Sequence, residues 1–387
     1  MKVAIFINSY NNQSGGAYTY TDQLVKSIIN NISIFHEHNV YFISNKPLIY
    51  NSNKNIKYLL FKYNFLQNII LKLKILSPIF ELIFYKIAPL DSFLKKNNFD
   101  FLWYLAPGSL EITNTPYIFP VWDLEHKDRP YFPEVSQNFT YTKRELYYQK
   151  MCGRAAYILT GTNHLKEKVI KYYQINSERI AIAPLYSSIT NEVKNSKTKK
   201  IVKKTKTILY PAQFWAHKNH INLIKAFQRI YKKYDLHLLF VGSDKGNLNQ
   251  VKDYIIKNNL SNHVTIKGFV SRSELIKFYK SSICLANITF FGPDNIPPLE
   301  AWSLSLPVIS SNIPGCKEQL KDGAVFVNPG LPNSIAQGIV KVITSPSLQK
   351  KLIKKGNILL KNYNELIFLN RVKKCFNDFK NIRNNWK

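Results

Sequence analysis

Short apolar runs alternate along this chain with longer stretches whose apolar residues recur every three or four positions. The runs at residues 3–8, 40–44, 56–61, 98–104, 117–121, 155–162 and 180–184 read as buried strands, as do those at 207–211, 236–241, 263–270, 283–286, 307–311 and 324–327. The helical period predicts helices over 21–30, 163–173, 223–232 and the final stretch 345–387. Strands that are apolar throughout are buried on both faces, as in a parallel sheet covered by helices. Strand and helix repeat through both halves, so the expected fold class is α/β. Residues 194–206 interrupt the pattern: seven lysines with little apolar content read as an exposed linker. The expected organisation is a first domain over 1–190, a basic linker over 191–206, a second domain over 207–365 and a terminal helix over 366–387. A chain of 387 residues is long enough for two such cores.

Candidate chemistry gathers where strands end. After the run at 283–286, Gly292 and Pro293 break regular structure, and Pro297 and Pro298 suit the first turn of a helix. A helix start beyond a parallel strand attracts phosphate. Glu300, expected in that first turn, is suited to holding neutral sugar hydroxyls, because a carboxylate accepts two at once. Gly15 and Gly16 lie between the first strand and the first helix, where backbone can approach a ligand closely. Gly242 ends another strand in a similar turn. Lys218 follows a strand and precedes a helix, a position suited to a diphosphate, although a solvated surface lysine shows the same pattern. Asp123 and His126 lie past the strand at 117–121 and could share a site; the plain alternative is a cap and a loop residue.

Several strings carry a family resemblance. Residues 292–302 (Gly-Pro-Asp-Asn-Ile-Pro-Pro-Leu-Glu-Ala-Trp), with Leu306-Pro307-Val308-Ile309 following, resemble the donor-binding motif of family 4 (group 1) retaining glycosyltransferases. Trp122-Asp123-Leu124-Glu125-His126 with the later Phe132-Pro133-Glu134 is similar to a Trp-Asp-Leu-x-His segment of the same family, and Arg144-Glu145 fits that subgroup. The string around Lys218-Asn219 resembles the family's Lys-Asn motif. The resemblance implies the GT-B fold, two Rossmann-like domains with parallel sheets facing a central cleft, the last helix crossing back to the first domain. It implies donor contacts from Gly15, Gly16, Gln213, Lys218, Gly242, Phe269, Val270, Asp294, Asn295, Ile296, Pro297, Glu300 and Glu318, with His126 and Asp123 as the catalytic pair. Two positions depart from the pattern: Gln213 stands where many members have arginine, and Gly292 where many have a first glutamate. Asp294 or Asn295 is then left to bind sugar hydroxyls.

Composition adds constraints. A hydrophobic content of 45% and a charged content of 20% are those of a globular protein. Cys152, Cys284, Cys316 and Cys375 lack metal-ligand spacing and read as reduced thiols. The start, Met1-Lys2-Val3-Ala4-Ile5-Phe6-Ile7, turns polar too soon for a signal peptide. A formal charge of +30 attracts membranes, nucleic acids or phosphorylated substrates, unless it only reflects a chain rich in Lys, Asn and Ile throughout. No nucleic-acid motif is present, so no nucleic-acid partner is expected. Phe65, Leu66, Ile69, Ile70, Leu73, Leu76, Ile79, Phe80, Ile83 and Phe84 recur at helical spacing among Lys62, Lys72, Lys74 and Lys86. The charges and Pro78 rule out a membrane span, leaving a membrane-surface helix or a core-packed helix pair.

The resemblance as a whole implies a hexosyltransferase of the mannosyltransferase-like subgroup of O-antigen, lipopolysaccharide and other surface polysaccharide synthesis. Its donor would be a nucleotide-diphosphate sugar, GDP-mannose first, and its acceptor a glycan carried on polyprenyl diphosphate. It would need no cofactor and no metal, and would work in the cytoplasm as a peripheral protein on the inner face of the membrane. The alternatives are a sugar-nucleotide epimerase or hydrolase of the same fold, and a non-enzymatic basic protein that binds membranes or nucleic acid.

Overall fold

The computed structural model describes residues 1–7, 16–45, 56–109, 111–187, 189 and 204–386. Gly15 and most of the expected linker lie outside the described residues. The chain divides into two compact units: Met1–Tyr131 with Val135–Ala183 and Glu365–Lys387, and Phe132–Glu134 with Pro184–Asn364.

In the first unit the strands are β1 (Lys2–Ile7), β2 (Asn39–Ser44), β3 (Lys57–Leu60), β4 (Phe101–Tyr104), β5 (Tyr117–Pro120), β6 (Tyr157–Thr160) and β7 (Ile180–Ile182). They form one sheet in the order β3-β2-β1-β4-β5-β6-β7, and each pairing is parallel. β4 and β5 are buried at every position, as their unbroken apolar runs require. The helix Glu365–Arg383 closes one face of this unit. Its Phe376 packs against Phe35 at 5.5 Å, Phe101 at 5.7 Å and Trp103 at 6.0 Å between ring centroids. Arg383 pairs with Asp100, and Ser27 donates to Glu365 at 2.7 Å.

The apolar stretch at 61–94 folds as two helices, Phe65–Leu76 and Pro78–Ile83, separated at Ser77. Asn64 and Gln67 form a reciprocal capping box at the start of the first. Lys150 anchors the pair by donating to Lys74 O and to Glu81, both at 2.8 Å. The core-packed alternative fails for most of the stretch. Only Ile70 and Leu71 of the first helix are buried, while Phe65 is 82% and Leu82 76% exposed.

In the second unit the strands are β8 (Thr207–Pro211), β9 (His237–Val241), β10 (Val264–Lys267), β11 (Cys284–Asn287), β12 (Val308–Ser311) and β13 (Ala324–Val327). The order β10-β9-β8-β11-β12-β13 with all-parallel pairing is the doubly wound 3-2-1-4-5-6 arrangement. The order reverses between β8 and β11, so the loops after these two strands part to opposite faces and leave a crevice at their carboxyl ends. The helix expected over 223–232 is two pieces, His220–Gln228 and Tyr231–Tyr234, because the chain leaves helical geometry at Ile230 and turns left-handed at Asp235.

His220 opens the first of these pieces inside an aromatic box. Its ring stacks on Phe214 at 4.4 Å and lies 5.0 Å from both Tyr210 and Phe240. Neither ring nitrogen has a hydrogen-bond partner among the described residues. Burial is the main cause that drives its pKa down to about 3. The folded protein therefore holds a neutral ring, while the unfolded chain takes up a proton below about pH 6.5. Stability from this ring is complete above that pH and is lost as pH falls towards 3. His220→Phe removes the titration and the two unsatisfied nitrogens. It should stabilise the protein by about 1–2 kcal/mol at pH 7 and by more at pH 5, as read by thermal unfolding at both pH values. An equal gain at the two pH values would show that His220 is not the acid-sensitive group.

Candidate functional site

The crevice of the second unit is framed by the loop after β8, which carries Gln213 to Asn219, and the loop after β11, which leads into the helix Ile296–Ser303. Lys218 ends a short turn, Ala216–Lys218, and the left-handed Asn219 (φ 56°) hands the chain to the next helix. The Tyr210 hydroxyl donates to Lys218 O at 2.7 Å, fixing the turn from below. Burial raises the Cys316 thiol to about 11, and the Ser310 hydrogen bond and then the Lys218 charge pull against that rise. Gln213 bridges two neighbours, donating to Ser243 Oγ at 2.9 Å and accepting from Trp215 Nε1 at 3.3 Å.

On the other loop Gly292 adopts φ 136°, a conformation that residues with a Cβ rarely take, and an added Cβ would meet Asn295 Oδ1 at 3.1 Å. A first glutamate at this position does not fit the loop as built. Asn295 is buried and clamped on both sides by the Gln319 amide, which accepts from Asn295 N at 2.9 Å and donates to Asn295 O at 2.8 Å. Asp294 accepts from Leu185 N at 3.4 Å. Burial first, and then the Glu318 charge, raise its carboxyl to about 7, so at neutral pH it can both donate and accept. Ile296 and Pro297 open the helix. Pro297 and Pro298 have no N–H, so the helix start offers donors only from Ile296 and Leu299 within its first four residues.

Glu300 lies in the second turn of this helix and not in the first, because the helix begins at Ile296. It is buried, and its charge is compensated from within the unit. Arg272 donates to Oε1 at 2.9 Å, the Tyr279 hydroxyl to Oε2 at 2.7 Å, and Ser187 reaches Oε1 at 3.5 Å. Tyr279 is held as a donor, its pKa raised by burial and by the Glu300 charge. Gly242 answers to the chain's own backbone: an added Cβ would lie 2.2 Å from Ala212 O. Its missing side chain is needed for β9 to pass the loop after β8. Phe269 and Val270 follow β10, and Phe269 is exposed.

In the first unit, Gly16 is the first residue of the helix Gly16–Asn30. Asp123 pairs with Arg144 and accepts from Glu125 N at 3.2 Å. Burial raises its carboxyl pKa, but the Arg144 contacts outweigh that and hold it below the usual range. His126 is fully buried, stacked on Tyr148 at 5.6 Å, with Nε2 3.2 Å from Glu145. Burial first, then the Arg144 charge, lower its pKa to about 4, so the ring is neutral at pH 7. Its Nδ1 has no partner among the described residues. The four cysteines are buried and free. Among the described residues no group of three His, Cys, Asp or Glu side chains is placed to hold a metal ion.

Comparison with known proteins bears on this arrangement. Residues 191–358 match the family described as glycosyl transferases group 1. Those residues of this chain are thus similar to the group 1 glycosyl transferases. The chain is 29% identical over 207 residues to the O-antigen chain mannosyltransferase RfbU of Salmonella typhimurium, covering 53% of this chain and 55% of that protein. It spans about half the length of the curated relatives it matches. Over nearly the whole chain the structure resembles a sucrose-phosphate synthase from Thermosynechococcus elongatus, with TM-score 0.73, 15% identity, and coverage of 98% and 99%. It also resembles the Anabaena protein HepE in complex with UDP-glucose, with TM-score 0.67, 13% identity, and coverage of 97% and 99%. The fold is that of the GT-B glycosyltransferases.

In the second unit the sequence pattern points to residues of the two crevice loops and not to Arg272 and Tyr279, which hold Glu300. Serine-arginine-serine-glutamate at 271–274 reads as an ordinary helix start, and only the fold brings Arg272 to Glu300. Gly292→Ala should cost about 1–2 kcal/mol of unfolding free energy through its positive φ, measured by chemical denaturation. Unchanged stability would mean that the loop readily takes another path and that the glycine is not required.

Proposed function

We propose that this chain is a retaining glycosyltransferase that moves a hexose from a nucleotide-diphosphate sugar, mannose from GDP-mannose being the first donor to test. The observation that carries this reading is the placement of Lys218 on the loop after β8, and of Asp294, Asn295 and Glu300 on the loop after β11 and the helix it leads into, at the sheet's order reversal and within the residues that match the group 1 glycosyl transferases. The name of RfbU supports mannose and an O-antigen-type acceptor, and the HepE complex shows a nucleotide sugar bound to the same fold. In this reading Lys218 faces the diphosphate, Glu300 holds donor hydroxyls beside Tyr279, and Asp294 with Asn295 serves the hexose. The bond from sugar C1 to the diphosphate oxygen breaks as the acceptor oxygen bonds C1 on the same face. The acceptor proton passes to the leaving diphosphate, with no metal required. Charge stabilisation by Lys218 carries much of the rate. In the first unit His126, neutral and backed by Glu145, and Asp123, backed by Arg144, are the proposed catalytic pair.

Calorimetry with GDP, UDP and dTDP sugars tests the donor, and product analysis with and without acceptor separates transfer from hydrolysis or epimerisation. Glu300→Gln should lower transfer by about 10²-fold, and Lys218→Ala should weaken nucleoside diphosphate binding. Near-normal turnover by Glu300→Gln, or no binding of any nucleotide sugar, would sink the reading.

The acceptor is proposed to be carried on a polyprenyl diphosphate at the inner face of the cytoplasmic membrane. No helix among the described residues is long and apolar enough to cross a membrane. The helices Phe65–Leu76 and Pro78–Ile83 instead expose Phe65, Leu66, Ile69, Leu76, Ile79, Leu82 and Ile83, with Lys62, Lys72 and Lys86 exposed among them. An apolar face rimmed by lysines suits an anionic leaflet, each lysine contributing about 1 kcal/mol at low salt. Cosedimentation with anionic liposomes should be strong at low salt and should fall as salt rises. Replacing Lys62, Lys72 and Lys86 by Glu, or Phe65 and Leu82 by Ser, should weaken it while soluble-acceptor activity remains. Lys74 is left in place because it donates to Ile87 O at 3.0 Å. Indifference of the wild type to anionic liposomes at low salt would refute membrane docking.

A further inference from the structure

Phe132–Glu134 is a three-residue segment that groups with the second unit although its neighbours in sequence do not. It carries one carboxylate into an aromatic cluster. Phe132 packs edge-on against Phe291 at 5.6 Å and beside Phe290 at 5.8 Å. Glu134 Oε1 accepts from two donors of one residue, the backbone N–H of His217 at 3.1 Å and the ring nitrogen Nδ1 of His217. Both side chains are nearly enclosed, at 11% and 10% exposure for His217 and Glu134. A buried carboxylate needs such donors. Burial pushes its pKa up, but the His217 contacts outweigh burial and hold it below the usual range. It is therefore ionised at neutral pH, and His217 must carry its proton on Nδ1.

His217 is the residue before Lys218, and it ties both crevice loops together. Its backbone oxygen accepts from Phe290 N at 2.9 Å and from Thr289 Oγ1 at 3.2 Å, both in the loop that leads to Gly292. Its ring stacks face to face on Phe291 at 3.9 Å and 15°. The turn Ala216–Lys218 has no side-chain cap of its own at Trp215. Glu134 supplies the missing acceptor from 83 positions away in sequence. Without it, the His217 N–H and ring both lose this carboxylate, and the turn beneath Lys218 loses one of the contacts that fix it.

We propose that Glu134, acting through His217, is a positioning residue for the anion-binding turn at Lys218, and that it sets affinity for the diphosphate group of a nucleotide ligand. This rests on the reading of Lys218 as the diphosphate contact. Glu134 reaches the ligand only through His217.

The test is calorimetry of the full chain with GDP, UDP and dTDP, with thermal unfolding of each variant alongside. Glu134→Ala should raise the dissociation constant for the nucleoside diphosphate that wild type binds by about tenfold, the equivalent of one buried hydrogen-bonded contact. Glu134→Gln keeps one acceptor oxygen without the charge and should fall between wild type and Glu134→Ala. A second pair guards against loss of folding. His217→Asn places an amide donor where Nδ1 stood, whereas His217→Gln places it further out; both lose the same stacking on Phe291. The Asn variant should bind the nucleotide more tightly than the Gln variant. A folded Glu134→Ala protein with wild-type affinity, or equal affinities for the two His217 variants, overturns the positioning role and leaves the donor reading standing. Failure of the wild type to bind GDP, UDP and dTDP alike overturns the donor reading and this inference with it.

Discussion

The parallel pairing of β8 with β11 is the constraint on which the second unit's chemistry depends. Strands earlier in the chain order lie on one side of that pair and later ones on the other. Connections leave β8 and β11 towards opposite faces, so their loops touch near the strand ends and part beyond them. Backbone groups there depend on a few residues for their partners. His217 supplies several, through the bonds from Phe290 and Thr289, and the Gln319 amide supplies those of Asn295. The loops are built on rigid strand ends yet separated by a crevice, the combination that a binding site requires.

Electrostatics then decides what the crevice can hold. Glu300 is buried, and a lone buried carboxylate would be costly. Arg272 and Tyr279 remove that cost, one by charge and one by a hydroxyl whose proton is firmly held. The two partners differ in freedom. Tyr279 is enclosed, while the Arg272 side chain is 29% exposed. A ligand hydroxyl arriving at Glu300 can thus replace or join the arginine on Oε1 without disturbing the tyrosine on Oε2. The carboxylate is preorganised on one oxygen and exchangeable on the other.

Much of the fold was legible because burial on both faces leaves an unbroken apolar run. The helix Asn163–Tyr173 and the strand Ala324–Val327 stand as the pattern predicts. The helix after Lys218 ends early, at Gln228, because nothing in its apolar spacing marks the change of path at Ile230. Glu300 was read one turn too near the helix start because two prolines usually mark a first turn, and here Ile296 precedes them. Lys218, Asp294 and Glu300 were legible as loop chemistry; the contacts made by Glu134, Arg272 and Gln319 were not. Their partners lie 83, 28 and 24 positions away, and such pairings follow from loop paths, not from local spacing. The burial of His126 was likewise invisible, because it depends on Tyr148 and Glu145 coming up from the helix Thr140–Arg154.

The formal charge of +30 finds little echo in the second unit's crevice. There Arg272 is already committed to Glu300, and Glu318 adds negative charge near Asp294. Asp294 shows no local excess of positive charge. A carboxylate near a local excess of positive charge would have its pKa lowered, yet burial and Glu318 raise this one to about 7. The excess of lysine must therefore act at longer range. Surface charge of one sign draws anionic ligands and anionic surfaces towards the whole molecule within about 10 Å at ordinary ionic strength. It cannot choose among sugars, because it does not touch them. In the proposed reading, selection falls to the short-range pattern in the crevice: one lysine for the diphosphate, a half-exchangeable Glu300, and an Asp294 that can give or take a proton. Attraction and discrimination are thus carried by different residues, and replacing distant surface lysines should alter how fast anionic ligands arrive far more than which one is held.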